Sequence, residues 1–297
     1  MQRPEDIHSY WICSDGRSGA CGDPSLVFPY WSFTKTALAI CALMLVERGK
    51  LDLDTRPDGT PYNLRQLLKH TAGLPDYGRL REYHEGVAAD AEPWPEAKLL
   101  AAAQADDLLF APDQGWSYSN IGYMLARRHI EASTGRGFSS LFAELIAVPL
   151  KLESVELAAT REQFSRIHWS AARRYHPGWV YHGCLIGTAR DAAYLLHAVF
   201  SGELLTAETL RQMLDRRHLG AAVENRPWED CGYGLGLMSG SMGRIGRAMG
   251  HSGGGAFSVN AVYHFPDRDF PITVASFSEG NDEAVPEFET VRLGLSR

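Results

Sequence analysis

Ser32 and Lys35 stand three residues apart, where a loop turns into an apolar helix. Phe28-Pro29-Tyr30-Trp31 ahead of them is not helical in pattern, whereas Thr34 to Glu47 is apolar nearly all round and stops at Gly49. That pattern predicts a buried helix over 34–47. A serine in its first turn sits at the positive end of the helix dipole, and a lysine three residues on projects from the same face. A hydroxyl with an amine one turn away, both set in an apolar wall, is an arrangement that activates a nucleophile. The chain holds only five lysines, so one inside a buried helix stands out. The same pair also fits a serine cap followed by an ordinary helix lysine, and further residues have to decide.

Two more motifs follow in chain order. Tyr118-Ser119-Asn120 lies where a loop leads into a helix predicted over 120–133, and His251-Ser252-Gly253-Gly254 opens an alternating, strand-like run. A tyrosine becomes a base if a nearby cation lowers its pKa from ~10, and an Asn amide can bind a substrate carbonyl. A glycine-rich strand edge lets a substrate backbone come close, and its N–H can complete an oxyanion hole. Singly, each motif is weak. His84-Glu85-Gly86 and His218-Leu219-Gly220 repeat the His-x-Gly pattern, and Tyr118-Ser119-Asn120 also fits a plain helix cap. Their joint order and context carry the weight.

The elements that must hold these residues fall into two groups. Residues 8–21 predict a hairpin turning at Ser14-Asp15-Gly16-Arg17. Helical patterns follow at 64–70, 97–106, 120–133, 139–146, 188–201 and 208–217. After Pro227 come β-like runs at 232–239, 247–249, 255–265 and 270–277, then a helix over 283–295. The expected fold is α/β (α+β), an antiparallel sheet flanked by helices plus a helical lobe, in a single domain over 1–297. The sheet lobe is expected from about 1–30 and 225–297, the helical lobe from about 31–224, with the site in the cleft between them.

Hydrophobic content of 45% and charged content of 22% are those of an ordinary globular enzyme. A net charge of −7 gives no support for a nucleic-acid or anionic-membrane partner. No apolar run approaches the ~20 residues of a membrane span. The polar start Met1-Gln2-Arg3-Pro4 reads as no secretory signal, and the expected location is the cytoplasm. Five cysteines (13, 21, 41, 184 and 231) lack metal-like spacing, and the eleven histidines include no His-Glu-x-x-His, so no metal and no cofactor is expected. Cys13 and Cys21 are placed to face each other across the hairpin, although a reduced state is expected.

Together the motifs resemble those of the serine β-lactamase and penicillin-binding-protein superfamily. The nearest likeness is to the branch of class C β-lactamases, D-Ala-D-Ala carboxypeptidases, D-aminopeptidases and β-lactamase-like esterases. It extends through Leu67-Leu68-Lys69-His70-Thr71-Ala72-Gly73-Leu74-Pro75, Tyr118–Tyr123, Ile130–Gly135, Thr188–Asp191 and Tyr233-Gly234-Leu235-Gly236. Class A relatives combine Ser-x-x-Lys with Ser-Asp-Asn and Lys-Thr-Gly; here Tyr-Ser-Asn and His-Ser-Gly stand in the second and third places. The resemblance implies a β-lactamase/transpeptidase-like fold and a serine hydrolase working through an acyl-enzyme. Ser32 would be the nucleophile and Lys35 its partner, with Tyr118 as general base and then as acid for the leaving group. Asn120 would orient the substrate, His251 would line the opposite wall with Ser252 and Gly253, and the N–H groups of Ser32 and Gly254 would form the oxyanion hole. Lys35 and Tyr118 both stay open as acceptor of the serine proton: either Lys35 falls from ~10.4 by about three pH units, or a charged Lys35 depresses Tyr118. Histidine in the third motif removes a permanent cation and weakens the case for a carboxylate clamp.

The expected function is therefore hydrolysis of a small carboxylic ester or amide. β-Lactamase or D-Ala-D-Ala carboxypeptidase/D-aminopeptidase activity is the alternative within the class, and a non-catalytic ligand-binding sensor on the same fold is the alternative outside it. The expected partner is a small-molecule ester, amide or lactam; oligomeric state is not legible. Trp116, Trp179, Tyr181 and Trp228 are candidates for an apolar acyl pocket. Gly250-His251-Ser252-Gly253-Gly254 also fits the Gly-x-Ser-x-Gly elbow of α/β-hydrolases. That elbow must open a helix and be followed by an acid and then a histidine, whereas here a strand follows, only His264 comes after Ser252, and no acid lies between the two.

Overall fold

The computed structural model describes residues 7–57 and 59–297; the first six residues of the expected sheet lobe lie outside the described residues. Eleven strands are present among them: β1 (Ile7–Cys13), β2 (Ser18–Cys21), β3 (Val27–Pro29), β4 (Glu156–Ala158), β5 (Cys184–Thr188), β6 (Arg217–Ala221), β7 (Asp230–Tyr233), β8 (Met238–Ser241), β9 (Arg247–Gly254), β10 (Ser258–Phe265) and β11 (Ile272–Glu279). Eight form one sheet in the order β2-β1-β11-β10-β9-β8-β7-β6, and β3, β5 and β4 form a second, small sheet. Each pairing is antiparallel, both where a hairpin joins neighbours, as between β10 and β11, and where the strands are far apart in the chain, as between β1 and β11.

The central strands of the large sheet, β9 to β11, are buried on both faces, whereas its edge strands β2 and β6 are partly exposed. Ile12, Val262, Ala275 and Phe277 belong to the main core, while Cys13, Ala261, Tyr263, Ile272 and Val274 pack with Leu293 of the C-terminal helix Ala284–Ser296. Strands covered on two sides need apolar residues at successive positions, which is why β10 and β11 are buried almost end to end. Between the sheet segments run the helices, chief among them Phe33–Glu47, Asn120–Thr134 and Ala189–Phe200.

Phe33–Glu47 is the central helix, buried from Phe33 through Leu43, as its unbroken apolar run requires. Gly49, at φ 64°, accommodates the left-handed turn behind it. Asn120–Thr134 is capped at its start by Ser119 Oγ, which accepts from Gly122 N at 3.0 Å, and at its end by Gly135 at φ 66°.

The hairpin over 8–21 is present, but Cys21 lies opposite Ser9 rather than Cys13, and all five thiols are free. The run at 232–239 is two strands, β7 and β8, because Gly236 at φ 78° reverses the chain between them. The helix expected over 208–217 ends at Leu214, and β6 joins the sheet ahead of the expected boundary at about 225. The small sheet and the solvent-facing helix Arg81–Ala88 were not legible: three-residue strands carry too little periodicity, and that helix buries no residue.

Candidate active site

Ser32 occupies the cap position of the central helix with helical backbone angles (φ −70°, ψ −16°), and its side chain makes no capping bond. The hydroxyl is thereby left for other partners. Lys35 Nζ donates to Ser32 Oγ at 3.1 Å, and Tyr118 O–H donates to the same oxygen at 2.9 Å. Lys35 also donates to Asn120 Oδ1 at 2.7 Å and lies 3.2 Å from His182 Nε2. Trp31, directly before the serine, holds φ 42°, a left-handed conformation costly for a bulky residue. Its buried ring is fixed by Nε1 donating to Ser258 Oγ at 2.9 Å.

The small sheet sets this helix start. Tyr30 N donates to Leu185 O, and Leu185 N donates to Thr34 Oγ1 at 3.0 Å, locking β5 against the first turn. His182, two residues before β5, is thus carried to the lysine. Tyr118 and Asn120 arrive on the capped start of the 120–134 helix, where Asp76 Oδ1 accepts from Asn120 N at 2.7 Å.

Strand β9 closes the other side. A Cβ on Gly253 would stand 2.9 Å from Ser32 N, and one on Gly255 would stand 2.4 Å from the Trp31 ring, so glycine is what lets the strand touch the helix start. His251 Nδ1 donates to Ser252 O, leaving Nε2 to accept from Tyr233 O–H at 2.9 Å. Ser252 Oγ turns away from Ser32 to Tyr263 O–H at 2.6 Å and to the buried Glu287 carboxylate. A nucleophile elbow at Ser252 is excluded by this: the residue lies inside β9, not at a strand-to-helix turn.

Burial governs the electrostatics. Lys35, fully enclosed, is brought down from 10.5 to about 7 by loss of hydration, against a smaller opposing pull from Asp76. Tyr118 is pushed well above its ordinary value, again by burial, with Tyr233 adding to it. His251 falls to about 3 through burial and the neighbouring Lys35, and His182 falls well below its usual range for the same two reasons. Both imidazoles are neutral at pH 7.

Ser32 stands at the junction of two cavities, of about 380 and 420 Å³, that share Ser32, Asn120, Gly254 and Glu283 in their walls. The first is faced by Trp31, Tyr77, Tyr83 and Tyr175; the second by Trp116, Tyr118, Tyr233 and His251. Of the four aromatics expected to wall an acyl pocket, Trp116 alone lines a cavity at Ser32. Trp179 is sunk in the core, Tyr181 donates to Trp94 O, and Trp228 Nε1 donates to Glu287. His182, Glu283 and Asp76 carried no motif signal, since each reaches the site from an element remote in sequence.

The chain matches the model of the Beta-lactamase family over residues 7–295 and belongs to that family. Among its relatives is a penicillin-binding protein of Bacillus subtilis (strain 168), 28% identical over 170 residues, a match covering 52% of this chain and 35% of the relative. Esterase EstB of Burkholderia gladioli is 24% identical over 88% of this chain and 79% of its own length. The crystal structure of a D-stereospecific amidohydrolase from Streptomyces sp. superposes with a TM-score of 0.75 at 25% identity, covering 93% of this chain and 89% of that one. The matched region spans only about a third of the first curated relatives' own length. The fold is β-lactamase/transpeptidase-like, an antiparallel sheet with flanking helices. Among the described residues no helix is long and apolar enough to cross a membrane.

Proposed function

We propose that this protein is a serine hydrolase that cleaves a small carboxylic ester or amide through an acyl-enzyme on Ser32. The observation that carries the reading is the convergence of Lys35 Nζ and Tyr118 O–H on Ser32 Oγ, at 3.1 and 2.9 Å. Lys35, about half neutral near pH 7, takes the serine proton as Oγ bonds to the carbonyl carbon. Ser32 N–H and Gly254 N–H receive the developing oxyanion. Tyr118 keeps its own proton by virtue of its raised pKa and hands it to the leaving oxygen or nitrogen as that bond breaks. The Lys35 ammonium restores it. Water then adds to the Ser32 ester, loses its proton to the same pair, and releases the acid as Oγ is reprotonated.

Ester or amide hydrolysis is favoured over lactamase or carboxypeptidase action by the walls. Arg226 is the one Lys or Arg side chain among the described residues lining the two cavities, and it is bonded to both Glu287 and Glu283. With His251 neutral as well, no unpaired Lys or Arg among the described residues faces a substrate carboxylate from these walls. The esterase and the amidohydrolase among the relatives agree with this reading. The proposed location is the cytoplasm, supported by five unpaired thiols.

Intact-mass spectrometry after exposure to an activated ester, a penicillin and a fluorophosphonate tests the reading. A covalent adduct on Ser32, lost in Ser32→Ala, is expected, with rapid turnover of the ester adduct. Absence of any adduct would favour a binding protein, and hydrolysis surviving in Ser32→Ala would overturn the assignment.

A further inference from the structure

Glu283 is a carboxylate at the site that the acyl-transfer chemistry leaves unused. It precedes the C-terminal helix and lines both cavities with Ser32 and Gly254. Its Oε2 pairs with Arg226 Nη1 at 2.9 Å, while 33% of the side chain remains exposed. Its Oε1 points the other way: a Cβ placed on Gly254 would stand 3.1 Å from it. A carboxylate oxygen therefore lies against the glycine whose N–H is proposed to hold the oxyanion. Its charge is close enough to act on both Lys35 and Tyr118.

Such a placement opposes catalysis unless something intervenes. A fixed negative charge beside a forming oxyanion raises the barrier, by the same physics that lets oxyanion-hole donors lower it. Arg226 does not cancel it, because its guanidinium is forked by Glu287 through Nε at 2.7 Å and through Nη2, so the three groups together carry a net charge of about −1. Burial raises the Glu283 carboxyl above its ordinary value, the mark of a carboxylate short of positive charge. A cation brought by the substrate supplies it.

We propose that Glu283 binds a protonated amine on the carbon next to the scissile carbonyl, so that the substrates are esters or amides of α-amino acids with a free amino group. This rests on the acyl-enzyme reading above and narrows its substrate class. With the carbonyl oxygen between the Ser32 and Gly254 N–H groups, the adjoining carbon and its amine fall on the Gly254 side, within a hydrogen bond of Oε1. The amino-acid side chain then faces the cavity of Trp31, Tyr77, Tyr83 and Tyr175. Substrates with an acylated nitrogen, lactams included, lack the charge and leave Glu283 uncompensated.

The test compares kcat/KM for phenylalanine p-nitrophenyl ester with its N-acetyl counterpart, in both enantiomers, on the wild-type protein, E283Q and S32A. A preference of about 10- to 100-fold for the free amine is expected in the wild type, the range of a charge-assisted hydrogen bond. E283Q is expected to bring the two rates together, and E283D to restore part of the gap. Fluorophosphonate labelling of Ser32 in the wild type, E283Q and E283D, and an unchanged circular dichroism spectrum in S32A, verify that the protein is folded. Equal rates in the wild type, or a preference that survives E283Q, overturn the amine assignment while leaving the nucleophile intact. Cleavage of neither ester with Ser32 still labelled does the same. Hydrolysis unaffected by S32A instead overturns the reading beneath it.

Discussion

At the scale of the residue, the site turns on one amine kept out of water. Lys35 is charged in an unfolded chain up to pH 10.5, but in the folded protein it loses its proton near 7. Only the neutral form has a lone pair for the Ser32 proton. For the N-acetyl ester, which carries no ionisable amine, the kcat/KM of Ser32-dependent hydrolysis is accordingly expected to rise with pH through about 7 and to stay level beyond it, because Tyr118 retains its proton. With that substrate, a rate that falls on passing upward through 7 would refute Lys35 as the acceptor. The same burial has a thermodynamic side. Between about 7 and 10.5 the unfolded chain binds a proton that the native one does not, so this group's contribution to stability improves as pH rises and is worst below 7. At full extent the cost is roughly 5 kcal/mol. Lys35→Met is therefore expected to melt higher than wild type at pH 6, the gap narrowing toward pH 10 by calorimetry, while acylation is lost. His182 fixes the direction of the amine by a contact of 3.2 Å. His182→Ala is expected to lower kcat more than it changes KM, with His182→Gln, which keeps an acceptor, recovering part of the loss.

At the scale of the element, the site is a meeting of three helix or strand ends rather than a property of any one. The central helix offers Ser32 because Trp31 turns the chain left-handed just before it. The 120–134 helix delivers Asn120, and β9 passes close enough to line the far wall only because it is glycine there. Gly253→Ala would put a methyl group 2.9 Å from Ser32 N and 3.0 Å from the Asn260 amide. The expected result is a fall of about 10²-fold in acylation rate from a displaced oxyanion donor, with a smaller change in melting temperature. Unchanged labelling of Ser32 in that variant would mean that the strand is not part of the hole.

At the scale of the whole molecule, the C-terminal helix is tied to the sheet by a buried charge cluster. Glu287, fully enclosed, accepts from Arg226 Nε, Trp228 Nε1 and Ser252 Oγ, linking that helix to the 226–228 loop and to β9. Removing one partner strands a buried charge. Arg226→Ala is expected to cost about 3–5 kcal/mol in urea unfolding, whereas a double replacement of Arg226 and Glu287 by apolar residues is expected to cost less. Equal losses in the two variants would show that the pair contributes by attraction and not by mutual compensation.

What the sequence alone determined is the set of strongly local signals. The apolar run after Ser32, the Ser119 cap before a periodic helix, the Asp15-Gly16 hairpin turn and the alternating run from His251 each record a choice made within a few residues. Ser32, Lys35, Tyr118, Asn120 and the Gly254 strand edge stood out as candidates for that reason, and the resemblance to a family supplied their proposed roles. The tertiary structure alone decided what depends on distance through space. Burial of Lys35, which brings its pKa to about 7 and pushes Tyr118 upward, is a sum over atoms from many elements. Likewise His182 and Glu283 reach Ser32 from chain segments about 150 and 250 residues away, and no spacing in the sequence encodes a contact closed by folding.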